Sequence, residues 1–138
     1  MSCPFGKFSN VTGVSMCEKC GVGAHSAVAS ATTDKFCTCN AGWTLANTSC
    51  ETCKHGKYKT LSGSTECSSC PLGSSSPPGS DVDEDCRCNL PEGYTGPNGG
   101  PCSCMAGYTS AGAACTQCAL GSFKSFSGPQ VCSICPRN

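Results

Sequence analysis

Large apolar side chains are scarce in this sequence: five Leu, one Ile, six Val and five Phe among 138 residues. A chain so poor in core-building residues cannot offset the entropy lost on folding by burial alone. Charge is lacking too. Nine basic residues balance nine acidic ones, and the lysines and arginines are scattered, which argues against nucleic acid or an anionic membrane as partner. No apolar run approaches the roughly 18 residues of a membrane span. Helical spacing of apolar residues at i, i+3 and i+4 is absent. So are a glycine-rich phosphate loop, G-x-S-x-G and H-E-x-x-H, so no enzyme, no catalytic residue and no cofactor are expected.

What the chain has is cysteine, 17 of 138 residues. That density suits a disulfide scaffold in an oxidising compartment, extracellular or at the cell surface. The cross-links would stand in for the missing core.

The cysteine spacing repeats. Cys3-x13-Cys17-x2-Cys20-x16-Cys37-x-Cys39-x10-Cys50 is followed, two residues on, by Cys53-x13-Cys67-x2-Cys70-x15-Cys86-x-Cys88. Later come Cys102-x-Cys104-x10-Cys115 and then Cys118-x13-Cys132-x2-Cys135. Three units follow: 1–52, 53–117 with an extra loop at about 88–103, and an incomplete 118–138. The extra loop adds an even number of cysteines, as a paired framework tolerates. Each unit opens Cys-x2-Gly-x-aromatic (Gly6 and Phe8, Gly56 and Tyr58, Gly121 and Phe123), with a second glycine five residues on at Gly13, Gly63 or Gly128. This predicts a short two-stranded ribbon turning near the second glycine, its aromatic packed on a disulfide. Gly42-Trp43, Gly93-Tyr94 and Gly107-Tyr108 form a second recurring pair, and Trp43 is expected to cover a disulfide.

These motifs resemble the ephrin-receptor-type cysteine-rich repeat, related in appearance to EGF-like and tumour-necrosis-factor-receptor modules. The resemblance implies a small disulfide-rich fold: tandem EGF-like repeats of short β-hairpins and loops, little or no helix, elongated. An EGF-like order would pair Cys3–Cys20, Cys17–Cys37 and Cys39–Cys50, then Cys53–Cys70, Cys67–Cys86, Cys88–Cys102 and Cys104–Cys115. In that scheme Cys118–Cys135 closes and Cys132 is left unpaired or intermolecular. A sequential order starting Cys3–Cys17 competes, since six cysteines allow 15 connectivities. The third unit stops mid-pattern and no leader precedes Cys3, so the chain reads as cut from a longer precursor.

Zinc is the rival use of five Cys-x2-Cys pairs, but the remaining ligands would come from Cys-x-Cys, and His25 and His55 do not recur between units. A thioredoxin-like role lacks its βαβ setting. Both histidines read as surface residues away from any nucleophile pattern. The acidic cluster Asp81, Asp83, Glu84 and Asp85 lacks EF-hand spacing and reads as a solvated loop. Asn10-Val11-Thr12 and Asn47-Thr48-Ser49 are N-glycosylation acceptors. Ser74-Ser75-Ser76-Pro77-Pro78 is a candidate for O-linked or hydroxyproline-linked sugar, or else a flexible loop tip. The functional expectation is a glycosylated structural protein of a filament, surface coat or matrix. Its partners would be copies of itself or neighbouring repeats. A receptor ectodomain is the alternative, and a zinc protein the minor one.

Overall fold

A computed structural model describes residues 3–11 and 16–137. Among them sixteen strands form eight separate antiparallel hairpins in strict chain order, with no α-helix. β1 (Lys7–Phe8) pairs with β2 (Glu18–Lys19), β3 (Ala24–Ser26) with β4 (Cys37–Cys39), and β5 (Trp43–Ala46) with β6 (Ser49–Thr52). β7 (Lys57–Tyr58) pairs with β8 (Ser68–Ser69), β9 (Ser74–Ser75) with β10 (Arg87–Cys88), and β11 (Tyr94–Thr95) with β12 (Ser103–Cys104). β13 (Tyr108–Ala111) pairs with β14 (Ala114–Gln117), and β15 (Ser122–Phe123) with β16 (Ser133–Ile134). Most of these strands are two residues long, far too short for an isolated hairpin to hold in water.

A disulfide closes each hairpin. The pairs are Cys3–Cys17, Cys20–Cys37, Cys39–Cys50, Cys53–Cys67, Cys70–Cys86, Cys88–Cys102, Cys104–Cys115 and Cys118–Cys132. Each ties the arm leading into a hairpin to the arm returning from it, across sequence separations of 11 to 17. The EGF-like order is therefore corrected to the sequential one. The ribbon brings Cys17 back beside its own leading arm, Cα 5.6 Å from Cys3, which leaves Cys20 to open the next hairpin and pair with Cys37. Closing a loop of about 15 residues removes roughly 3 kcal/mol of freedom from the unfolded chain.

The same change corrects the third unit. Cys132 is bonded to Cys118, and Cys135 is the free, exposed thiol among the described residues. Cys135 stands where Cys20 and Cys70 stand in the other units, opening the next hairpin.

Three of the disulfides also tie neighbouring hairpins, because Cys39, Cys88 and Cys104 end the returning strands β4, β10 and β12 and pair with a cysteine of the next hairpin. At the other junctions something else must join hairpin to hairpin. Backbone hydrogen bonds do so in a recurring form. Seven of the hairpins start from a turn closed by an i to i+3 bond of 3.0–3.2 Å, such as Lys7 N–H to Pro4 O and Trp43 N–H to Asn40 O. The third residue of each such turn is glycine at φ +70 to +80, the region a type II turn demands and a side chain resists. That glycine's carbonyl then accepts the N–H of the first residue beyond the hairpin. Cys20 N–H bonds Gly6 O at 3.1 Å, Cys53 N–H bonds Gly42 O at 2.7 Å and Cys118 N–H bonds Gly107 O at 2.8 Å.

The buried set is accordingly small and unusual. It holds Cys3, Cys39, Cys53, Cys86, Cys104, Ala31 and Tyr94, together with Ser26, Ser76, Ser80, Lys59 and Lys124. Cystine sulfur and hydrogen-bonded polar groups replace an aliphatic core. Among the described residues every buried side-chain polar atom has a partner.

Candidate functional site

Joints between units are the most elaborated parts of the molecule. Between the first and second units lies the dipeptide Glu51-Thr52, and it is no free linker: both residues belong to β6, with Thr52 opposite Trp43 and Glu51 opposite Thr44. The corresponding Thr116-Gln117 lies in β14 opposite Thr109 and Tyr108.

A lysine is buried at each joint. Lys59 is 3% exposed, and its Nζ donates to Trp43 O at 2.7 Å and Gly63 O at 2.6 Å. Lys124 is 8% exposed, and its Nζ donates to Tyr108 O at 2.9 Å, to Cys104 O at 3.2 Å and to Gly128 O. In each case one acceptor belongs to the lysine's own hairpin and another to the hairpin before it. Backbone bonds complete the clasp: Gly42 N–H to Lys59 O at 2.8 Å, and Gly63 N–H to Cys39 O at 2.8 Å. The second joint repeats them as Gly107 to Lys124 at 2.9 Å and Gly128 to Cys104 at 2.8 Å. An ammonium with no counter-charge is costly to bury, and carbonyl dipoles on its N–H groups offset that cost. Burial holds the Lys59 ammonium below its ordinary value.

The second glycine of the ribbon thus has a role that the turn reading missed. Gly63 and Gly128, at φ +141 and +144, sit near the turn but also present N–H and C=O to the joint. Gly13 lies outside the described residues.

Aromatic rings approach glycines of the preceding hairpin closely. A β-carbon on Gly23 would overlap the Trp43 ring, one on Gly73 the Tyr94 ring, and one on Gly93 the Tyr108 ring. Besides the disulfide expected of it, the Trp43 ring has a close neighbour in Gly23. In the extra loop, Tyr94 is buried and its hydroxyl donates to Ala113 O at 2.7 Å, pinning the β13–β14 tip. The loop is a closed hairpin of its own, and Gly99 N–H ties it back to Cys86 O at 2.8 Å.

The lysines were not singled out from sequence. Their signal was present: both stand six residues after a unit's first cysteine, directly behind the framework aromatic, as Tyr58-Lys59 and Phe123-Lys124. The first unit has Ser9 there, whose hydroxyl bonds Val11 O at 3.1 Å.

Sulfurs of Cys17-x2-Cys20 belong to two different disulfides, so that motif offers no thiolate pair. No group of three or more His, Cys, Asp or Glu is placed to hold a metal ion among the described residues. Asp83, Glu84 and Asp85 form one 3-10 turn, with Asp81 exposed just before it. His25 corrects the surface reading: it is half-buried, with Nδ1 2.6 Å from Asn40 Oδ1. His55 is exposed but lies beside a serine after all, Ser75 Oγ being 3.0 Å from Nδ1 and 3.3 Å from Nε2. A hydroxyl nearly equidistant from both ring nitrogens faces the carbon between them, which is not the alignment of a nucleophile with its base.

The Ser/Pro run is not a flexible tip. Ser74 and Ser75 form β9, and Ser76 is 1% exposed with its hydroxyl on Lys57 O at 3.0 Å, so Ser76 is no acceptor for sugar in the folded chain. Pro77 and Pro78 are exposed. Asn47 is exposed at the tip between β5 and β6; Asn10 is exposed, and Thr12, which completes its acceptor motif, lies outside the described residues.

Residues 43–86 match the family model described as tyrosine-protein kinase ephrin type A/B receptor-like. No curated protein matches the chain. The matched segment begins at the Gly42-Trp43 pair and crosses the first joint, taking in the Lys59 clasp and the disulfides Cys53–Cys67 and Cys70–Cys86. Such a module, in a chain with eight disulfides, marks an extracellular domain. Residues 43–86 form an ephrin-receptor-like cysteine-rich repeat, and the same disulfide-closed hairpins run in tandem through the described residues on either side of it.

Proposed function

We propose that this chain is a non-catalytic extracellular spacer, a string of cystine-closed hairpins held in fixed register along a filament, surface coat or matrix. The observation that carries this is the lysine clasp, which recurs at both joints with the same acceptor positions. A string of self-contained units hinges freely unless its joints are specified. Burying an ammonium at each joint specifies them, because the lysine is satisfied only when the preceding hairpin is in place. Partners would be neighbouring repeats or further copies of the chain.

Small-angle scattering tests the idea. The oxidised chain should scatter as one semi-rigid body, and the double variant K59M/K124M should show a broadened distance distribution with hairpins intact. A native chain scattering like a freely jointed string would overturn it.

A second reading, a receptor ectodomain, is favoured by the family of the matched segment. It differs in requiring a soluble partner. Capture of a defined soluble ligand by the immobilised oxidised chain would support it over the spacer.

A further inference from the structure

The two four-residue-strand hairpins are structural duplicates, and comparing their tips exposes a difference. Both join their strands through two residues: Asn47-Thr48 between β5 and β6, and Gly112-Ala113 between β13 and β14. Both need a left-handed residue first, Asn47 at φ +55 and Gly112 at φ +66. The second tip is exposed as well, but the extra loop pins it, because the Tyr94 hydroxyl bonds Ala113 O. The first unit has no extra loop. Asn47, Thr48 and Ser49 are exposed, and among the described residues no side chain bonds to Asn47 or Thr48.

Asparagine tolerates left-handed backbone better than other side-chain-bearing residues, yet glycine would serve there more simply, as it does at 112. Here asparagine comes with a hydroxyl two positions on, in Asn47-Thr48-Ser49.

We infer that Asn47 carries an N-linked glycan at this exposed, unpinned hairpin tip. The transfer is redox-neutral. The amide nitrogen Nδ2 of Asn47 forms a bond to the anomeric carbon of an oligosaccharide. The bond from that carbon to a polyprenyl pyrophosphate carrier breaks, the pyrophosphate leaves with the electron pair, and one amide proton is lost. The neighbouring apolar surface, Leu45 at 54% exposed, would lie under the sugar. This inference rests on an extracellular setting but not on the spacer role.

The test is expression of the full chain in a glycosylating secretory host, with glycopeptide mapping of oxidised protein from the medium. The peptide holding Asn47 is expected to be occupied in most molecules. It should become aspartate at 47 after enzymatic sugar removal, and be unmodified in N47Q and S49A. Secreted, disulfide-bonded protein with a bare Asn47, made beside a fully glycosylated control protein, would overturn the inference while leaving the spacer reading intact. Failure of the chain to pass into the medium, with its cysteines reduced inside the cell, would overturn both.

Discussion

Lys59 Nζ lies 2.7 Å from the carbonyl of Trp43, sixteen residues earlier and in the preceding hairpin, and Lys124 repeats the relationship with Tyr108 at 2.9 Å. The arrangement matters because no disulfide crosses either joint. Cohesion between units rests on a cation shared among carbonyls and on glycine backbone bonds such as Cys53 N–H to Gly42 O, while the rings seated over glycines join hairpins within a unit.

Replacing Lys59 by methionine keeps the stem but strands the carbonyls of Trp43 and Gly63. The expected loss is about 1–3 kcal/mol, the usual consequence of leaving buried acceptors unpaired. Thermal unfolding of the oxidised protein measures it. The exposed Lys57, two residues away, is the control and should cost next to nothing on the same substitution. Equal effects at 57 and 59 would contradict the clasp.

Gly93 and Gly107 share a left-handed backbone, φ +82 and +79, but a β-carbon on Gly107 meets open space while one on Gly93 overlaps Tyr108. Gly107→Ala should therefore cost only the backbone strain, about 1–3 kcal/mol. Gly93→Ala should cost that and the displaced ring besides. Indistinguishable unfolding midpoints would show that the ring does not depend on the glycine.

The extra loop is anchored by one hydroxyl. Tyr94→Phe removes the bond to Ala113 and should lower stability by about 1 kcal/mol. Hydrogen exchange at the β13–β14 tip should rise in that variant and stay unchanged around β5–β6.

Lys59 also sets a pH dependence. Its folded value lies below its ordinary one through burial, so between the two the unfolded chain binds more protons. Stability rises with pH across that window and is flat below it. A neutral amine keeps two N–H donors, one for each carbonyl. Side-chain NMR of Lys59, in a Cys135→Ser background that suppresses thiol exchange, should show it titrating early. Titration at or above the ordinary lysine value would contradict the burial.

Much of this architecture could be read from residue spacing. The x13, x2 and x10 intervals revealed the units, and the even pair Cys88 and Cys102 marked an added closed loop. Connectivity could not be read. Cys-x2-Cys brings the end of one hairpin and the start of the next within three residues, so nearest-neighbour and crossed pairings suit the same spacing. Which wins depends on backbone that the spacing does not encode, namely the positive-φ glycine that sends Cys20 onward after its N–H bonds Gly6. The lysines stayed hidden for another reason. In a chain this polar, a lysine reads as surface, and only the paired joints show that Tyr58-Lys59 and Phe123-Lys124 are the same feature.

Disulfide mapping of the native, alkylated protein tests the central claim most directly. Trypsin cuts after Lys7, Lys19 and Lys35, which separates Cys3, Cys17 and Cys20 onto three peptides. Closure within each hairpin predicts peptide 1–7 bonded to 8–19, and 20–35 bonded to 36–54. Peptide 1–7 bonded to 20–35 would restore the crossed, EGF-like order and contradict sequential closure of the hairpins.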